Sequence, residues 1–85
     1  MPYSIDFRPS ALRTLKKLPK EIRQRITEAL ESLAVQPYPP GVKKLINEDN
    51  VYRVRTGDYR ILFQVEAKKL LILVLRIGHR RDVYR

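Results

Sequence analysis

The alternation of apolar and polar residues divides the chain into elements. Residues 3–8, YSIDFR, put Tyr3, Ile5 and Phe7 on one side and polar residues on the other, the period of a half-buried strand. Pro9 suits the first turn of a helix and Ser10 can cap it. Leu12, Leu15 and Leu18 then form a narrow apolar stripe with Arg13, Lys16 and Lys17 outside it. Pro19 closes that helix and opens the next. From about Glu21 to Val35, Ile22, Ile26, Leu30 and Leu33 recur at helical spacing, which predicts an amphipathic helix lying on a core. QPYPPG (36–41) ends it and forms a loop. VKKLI (42–46) is a short strand candidate, and NEDN (47–50) reads as a turn.

VYRVRTGDYRILFQV (51–65) has the pattern of a hairpin closed by Gly57-Asp58, with glycine first as a type II′ turn prefers. That turn pairs Thr56 with Tyr59, Arg55 with Arg60, Val54 with Ile61, Arg53 with Leu62 and Tyr52 with Phe63. Tyr52, Val54, Ile61 and Phe63 then share one face, and Arg53, Arg55 and Arg60 the other. A slip by one residue would bury the arginines, so the register is specified. A further strand, about Lys69 to Ile77, is apolar on both faces and therefore central. Residues 78–85, GHRRDVYR, form a polar tail. A strand, a helical hairpin and then antiparallel strands make a single α+β domain over residues 1–85: one small sheet with both helices on one face.

Charge sharpens the picture. Eighteen basic and nine acidic residues give a net charge of +9, and residues 51–85 hold nine basic against three acidic groups. Seven of those nine are arginine, the side chain suited to bidentate phosphate contacts. A basic stripe of this kind fits a nucleic acid, an acidic partner or an anionic membrane. There are no cysteines and one histidine, which excludes disulfides and thiolate metal sites and argues against a histidine-based one. Neither a signal peptide nor an apolar run long enough to span a bilayer is present, so a cytoplasmic, membrane-independent protein is expected.

The hairpin poses one difficulty. Arg55 opposite Arg60 is a like-charge pair, which destabilises a sheet unless a counter-ion relieves it. Asp58, Glu66 and Asp82 are the carboxylates available, and spacing puts none of them there. A substrate phosphate would serve instead. His79, Arg80, Arg81 and Tyr84 follow the central strand and can lie near the arginine face. Arginine for phosphate, tyrosine for base stacking and histidine for proton transfer suit RNA.

The hairpin YRVRTGDYRILFQV followed by LRIGHRRDVYR, with FRPSALRTLKKLP near the start, resembles the RelE/ParE superfamily of toxin–antitoxin toxins, on the RelE side. The resemblance implies a sheet carrying two N-terminal helices and a metal-independent, cofactor-free, ribosome-dependent endoribonuclease that cuts mRNA in the A site. It also implies a cognate antitoxin, small and acidic. Carried over by position, it matches Arg53 and Arg55 to the family's basic pair and implies catalytic roles for Arg55, Arg60, Arg80 and Tyr84, with His79 where other members have a lysine. His79 is read as a catalytic candidate beside them, and Arg53, Arg81, Lys43 and Lys44 as RNA-binding residues. Two other readings stand beside it: a ParE-like inhibitor of DNA gyrase, and a basic nucleic-acid-binding module without activity.

Overall fold

The computed structural model describes residues 2–45 and 48–79. Its elements are β1 (Ser4–Phe7), α1 (Pro9–Lys17), α2 (Lys20–Val35), β2 (Lys43–Lys44), β3 (Val51–Thr56), β4 (Tyr59–Glu66) and β5 (Leu71–His79). A 3₁₀ turn, Ala67–Lys69, joins the last two strands. The five strands form one sheet in the order β1-β5-β4-β3-β2, and both helices pack on the same face of it, the α+β architecture expected.

Proline sets the helix boundaries. Arg8 is the N-cap of α1 with Pro9 just inside, and no side chain caps the end. Ser10, expected as a cap, lies within the first turn instead, where its carbonyl accepts a hydrogen bond from Thr14 Oγ1 at 3.0 Å. Leu18 is extended (φ −73°, ψ 150°), the conformation that a following proline imposes. The helices therefore meet with almost no loop. On α1 the buried pair is Ala11 and Leu15, with Leu18 packed beside them; Leu15 and Leu18 keep their predicted side, and Ala11 takes the first core position in place of Leu12. On α2, Ile26, Leu30 and Leu33 are buried and Ile22 packs against them, as the periodicity predicts.

The hairpin has the predicted register: Thr56 faces Tyr59, Arg55 faces Arg60, Val54 faces Ile61, Arg53 faces Leu62 and Tyr52 faces Phe63. Gly57 sits at φ +60°, the left-handed conformation that the first turn position of type II′ requires and glycine adopts without steric cost. Ile61, Phe63, Ile72 and Val74 are completely buried against the helices. The aromatic end of this core is closed by Tyr52, stacked on Phe63 at 6.0 Å, and by Tyr38, set edge-on to Tyr52 at 5.2 Å.

One element departs from the sequence reading, and one pairing goes beyond it. The final strand begins at Leu71 rather than Lys69, because Ala67–Lys69 winds into the 3₁₀ turn and Leu70 ends it at φ +50°. It also runs on to His79, which the sequence reading placed in a tail. In addition, β1 joins β5 in parallel, Ser4 beside Leu71 and Phe7 beside Val74. Alternation reports which side of a strand is apolar; it carries no information about the direction of the neighbour.

A core this small has little redundancy. Phe63→Ala empties the centre of the sheet–helix interface and should cost about 3–5 kcal/mol, a large share of the ~5–15 kcal/mol typical of a whole domain. Urea unfolding followed by circular dichroism reads this as a large drop in midpoint. Ala substitution at exposed Arg13 should move it little.

Candidate nucleic-acid interface

With Tyr52, Val54, Ile61 and Phe63 committed to the helices, the alternate residues of β3 and β4 must emerge on the open face of the sheet. Arg55 and Arg60 therefore stand directly opposite each other there. One row further, Lys43 on β2 stands opposite Arg53 on β3. Two like-charge cross-strand pairs thus occupy adjacent positions. Lys43, Arg53, Arg55 and Arg60, together with Gly41 and Val54, line a shallow groove of about 190 Å³.

Repulsion in this groove is managed locally. Arg55 is exposed, and its Nε donates to the carbonyl oxygen of Gly57 at 3.0 Å. The hairpin turn itself therefore holds the guanidinium by a hydrogen bond to a charged donor, a contact stronger than a neutral one. Neither Asp58 nor Glu66 supplies that bond, and Asp82 lies outside the described residues. Arg60 is half-buried and its Nε is shielded from solvent. Two unit charges about 4 Å apart interact by ~1 kcal/mol in water and ~4 kcal/mol at an effective dielectric of 20. Partial burial thus raises the energetic stake of the pair, and it raises the attraction for an anion by the same factor.

The other residues singled out from sequence are distributed differently. Lys44 pairs with Tyr52, on the helix side of the sheet, and is exposed; it does not share the groove with Lys43. His79 pairs with Tyr59, again on the helix side, and the two rings meet edge to face with centroids 5.7 Å apart. Ser10 and Thr14 of α1 and residues 75–79 of β5 surround them in a groove of about 610 Å³. The sheet therefore separates His79 from the paired arginines, a consequence of its being the last residue of a strand with fixed alternation. Arg80, Arg81 and Tyr84 lie outside the described residues.

Sequence reading missed two contributors. Gly41, at φ +92° with open space around its Cα, borders the groove; the PYPPG run signalled a loop and gave no hint of what it approaches. The Gly57 carbonyl is a backbone acceptor that residue types do not reveal. Among the described residues, no three His, Cys, Asp or Glu side chains gather as metal ligands would, and no helix is long and apolar enough to cross a membrane.

If the groove is an anion site, inorganic pyrophosphate should raise the thermal midpoint of the wild-type protein. A ligand at 100 times its dissociation constant stabilises the folded state by about 2.7 kcal/mol. Calorimetry should show that shift abolished in Arg55→Ala and Arg60→Ala. Arg55→Ala without ligand should remain within about 0.5 kcal/mol of wild type, as expected for an exposed side chain.

Comparison with known proteins identifies the family and the fold. The family model for the ParE toxin of type II toxin–antitoxin systems, parDE, matches residues 5–84. Toxin RelG of Mycobacterium tuberculosis is 33% identical over 86 residues, covering 100% of this chain and 99% of the relative. The mRNA interferase toxin RelE of Escherichia coli is 29% identical over 92 residues, covering 99% and 92%. Among solved structures, the archaeal RelE–RelB complex of Pyrococcus horikoshii superposes with a TM-score of 0.83 at 30% identity, over 98% of this chain and 100% of that one. The toxin–antitoxin complex RelBE2 of Mycobacterium tuberculosis gives 0.81 at 32% identity, over 94% and 100%. The two-helix, five-strand fold is thus that of the RelE structures, and the chain belongs to the ParE toxin family of type II toxin–antitoxin systems.

Proposed function

We propose that the protein is a ribosome-dependent endoribonuclease that cleaves mRNA in the A site and so arrests translation. The observation that carries this reading is the two cross-strand positions at which like charges stand opposite, Lys43 with Arg53 and Arg55 with Arg60, around one open groove. A sheet that gained nothing from four converging cations would be better without them. A phosphodiester turns the same repulsion into attraction. The name of the E. coli relative, mRNA interferase toxin RelE, supports the choice of RNA as the target.

In the proposed reaction the 2′-hydroxyl of one nucleotide attacks the adjacent phosphorus. The bond to the 5′-oxygen of the next nucleotide breaks, leaving a 2′,3′-cyclic phosphate and a 5′-hydroxyl. The proton lost by the 2′-oxygen is balanced by one gained at the leaving 5′-oxygen. Negative charge grows on the non-bridging oxygens as the phosphorus becomes five-coordinate, and Arg55 and Arg60 stabilise it through preorganised N–H donors. Arg55 is preorganised by its bond to Gly57, and Arg60 by its partial burial. Arginine holds its proton too firmly to act as a base. The proton is therefore moved by Tyr84 or by a group of the ribosome; His79, turned toward α1 and Tyr59, stands apart from the paired arginines. Arg80 acts as a phosphate contact or leaving-group stabiliser, Arg53, Lys43 and Arg81 bind RNA, and Tyr84 stacks on a base. The partner that restrains the toxin is a cognate antitoxin, small and acidic, a reading supported by the RelB complexes among its structural relatives. Both act in the cytoplasm, where translating ribosomes are found.

The decisive variant is Arg60→Ala. Loss of one oxyanion-type donor lowers turnover by about 10²–10³-fold, so discrete mRNA cuts in a reconstituted translation mixture should vanish, and growth arrest on expression with them. Circular dichroism should show the fold intact. Undiminished toxicity of the variant would remove the catalytic assignment. Inhibition of gyrase supercoiling by the wild type, with mRNA left whole, would favour the gyrase reading instead.

A further inference from the structure

Strand β5 holds an arginine that simple alternation assigns to the wrong side. Ile72 and Val74 are completely buried against the helices, and counting on by two would drive Arg76 into the core. It is exposed. The reason is a β-bulge: Phe63 pairs with Val74, but its neighbour Leu62 pairs with Arg76, so Leu75 is an extra residue. Beyond it Ile77 returns to the core, 3% exposed and opposite Ile61. Bulges re-aim side chains beside functional sites; this one takes Arg76 out of the core and into the register row of Leu62 on the open face, on the stretch of β5 that also borders the recess beside α1.

On the open face it joins the basic rows. Reading across the sheet, one row runs Lys43, Arg53, Leu62, Arg76 and the next runs Arg55, Arg60, Gly78. Arg76 is the diagonal neighbour of Arg60, a separation of about 7–8 Å that long side chains can bridge. Gly78, opposite Arg60, adds no side chain between them, and Leu62 offers a half-buried apolar surface flanked by Arg53, Arg60 and Arg76. Cations bordering a small apolar platform match what a single-stranded nucleotide presents: phosphates at its edges and a flat, weakly polar body.

We propose that Arg76 is a binding residue that holds a second phosphate of the same RNA strand, one nucleotide removed from the linkage in the Arg55–Arg60 groove. The nucleotide between the two phosphates lies over Leu62 and Gly78. This inference rests on the reading of the open face as the RNA surface. It adds a contact that positions the strand without touching the reacting atoms.

Salt dependence tests it. The probe is a fully 2′-O-methylated single strand of about eight nucleotides, within the 4–16 typical of such sites; it has no 2′-hydroxyl to attack and cannot be cleaved. Its binding to the purified protein is measured over a series of salt concentrations. Each phosphate contact contributes about 0.7 to the slope of log K against log salt for single strands. Arg76→Ala should make the slope shallower by about that amount and weaken binding alike for different sequences. Arg76→Lys should retain the wild-type slope. Arg13→Ala removes the same charge from the exposed side of α1 and should leave the slope unchanged. A wild-type slope in Arg76→Ala, with a shallower one in Arg60→Ala, would overturn the role of Arg76 and leave the groove standing. If the wild type did not bind, or bound equally well after Arg55→Ala and Arg60→Ala, the RNA surface itself would fall, and this inference with it.

Discussion

Everything in this fold depends on the register of the β3–β4 hairpin. Tyr52, Val54, Ile61 and Phe63 face the helices, and burying them is the dominant favourable term available to so small a domain. Once they are committed inward, the alternate residues have no choice of side. Like charges opposed on the open face are therefore the geometric counterpart of a well-packed hydrophobic face. The sheet could avoid them only by changing residue type, and residue type is what a phosphate-binding surface requires.

The hairpin turn does double duty. Gly57 supplies the left-handed conformation that fixes the register, and its carbonyl holds the Nε of Arg55. The group that closes the strand pair thus also restrains one member of the charged pair. Stability and the proposed binding are thus coupled at a single residue, and the coupling is covalent in origin: turn and arginine are two positions apart. The bulge in β5 plays a corresponding part on the other flank, since the extra residue that disturbs pairing also frees Arg76 from the core.

Two faces of one sheet then separate two sets of groups. The open face gathers guanidinium and ammonium groups over a shallow groove. The helix side holds the core, and at its margin His79 and Tyr59 meet in a larger recess beside α1. Among the described residues, the cations that would stabilise charge in the proposed reaction lie on the open face. Proton transfer in the proposed reaction therefore falls to Tyr84 or to a group of the ribosome.

The amino-acid sequence by itself determined the hairpin, its register, the two helices and the face on which Arg53, Arg55 and Arg60 appear. These follow from local rules: period two in strands, 3.6 in helices, and the backbone demands of glycine and proline. Only the tertiary structure decided which strand β1 joins and in which direction, that Lys43 completes a second charged pair with Arg53, and that Lys44 and His79 lie on the other side of the sheet. It alone decided the bulge that turns Arg76 outward. Each of these depends on where a partner strand begins and on one residue of slippage between strands. That quantity is set by packing the whole sheet against the helices, and the alternation of any single strand does not contain it.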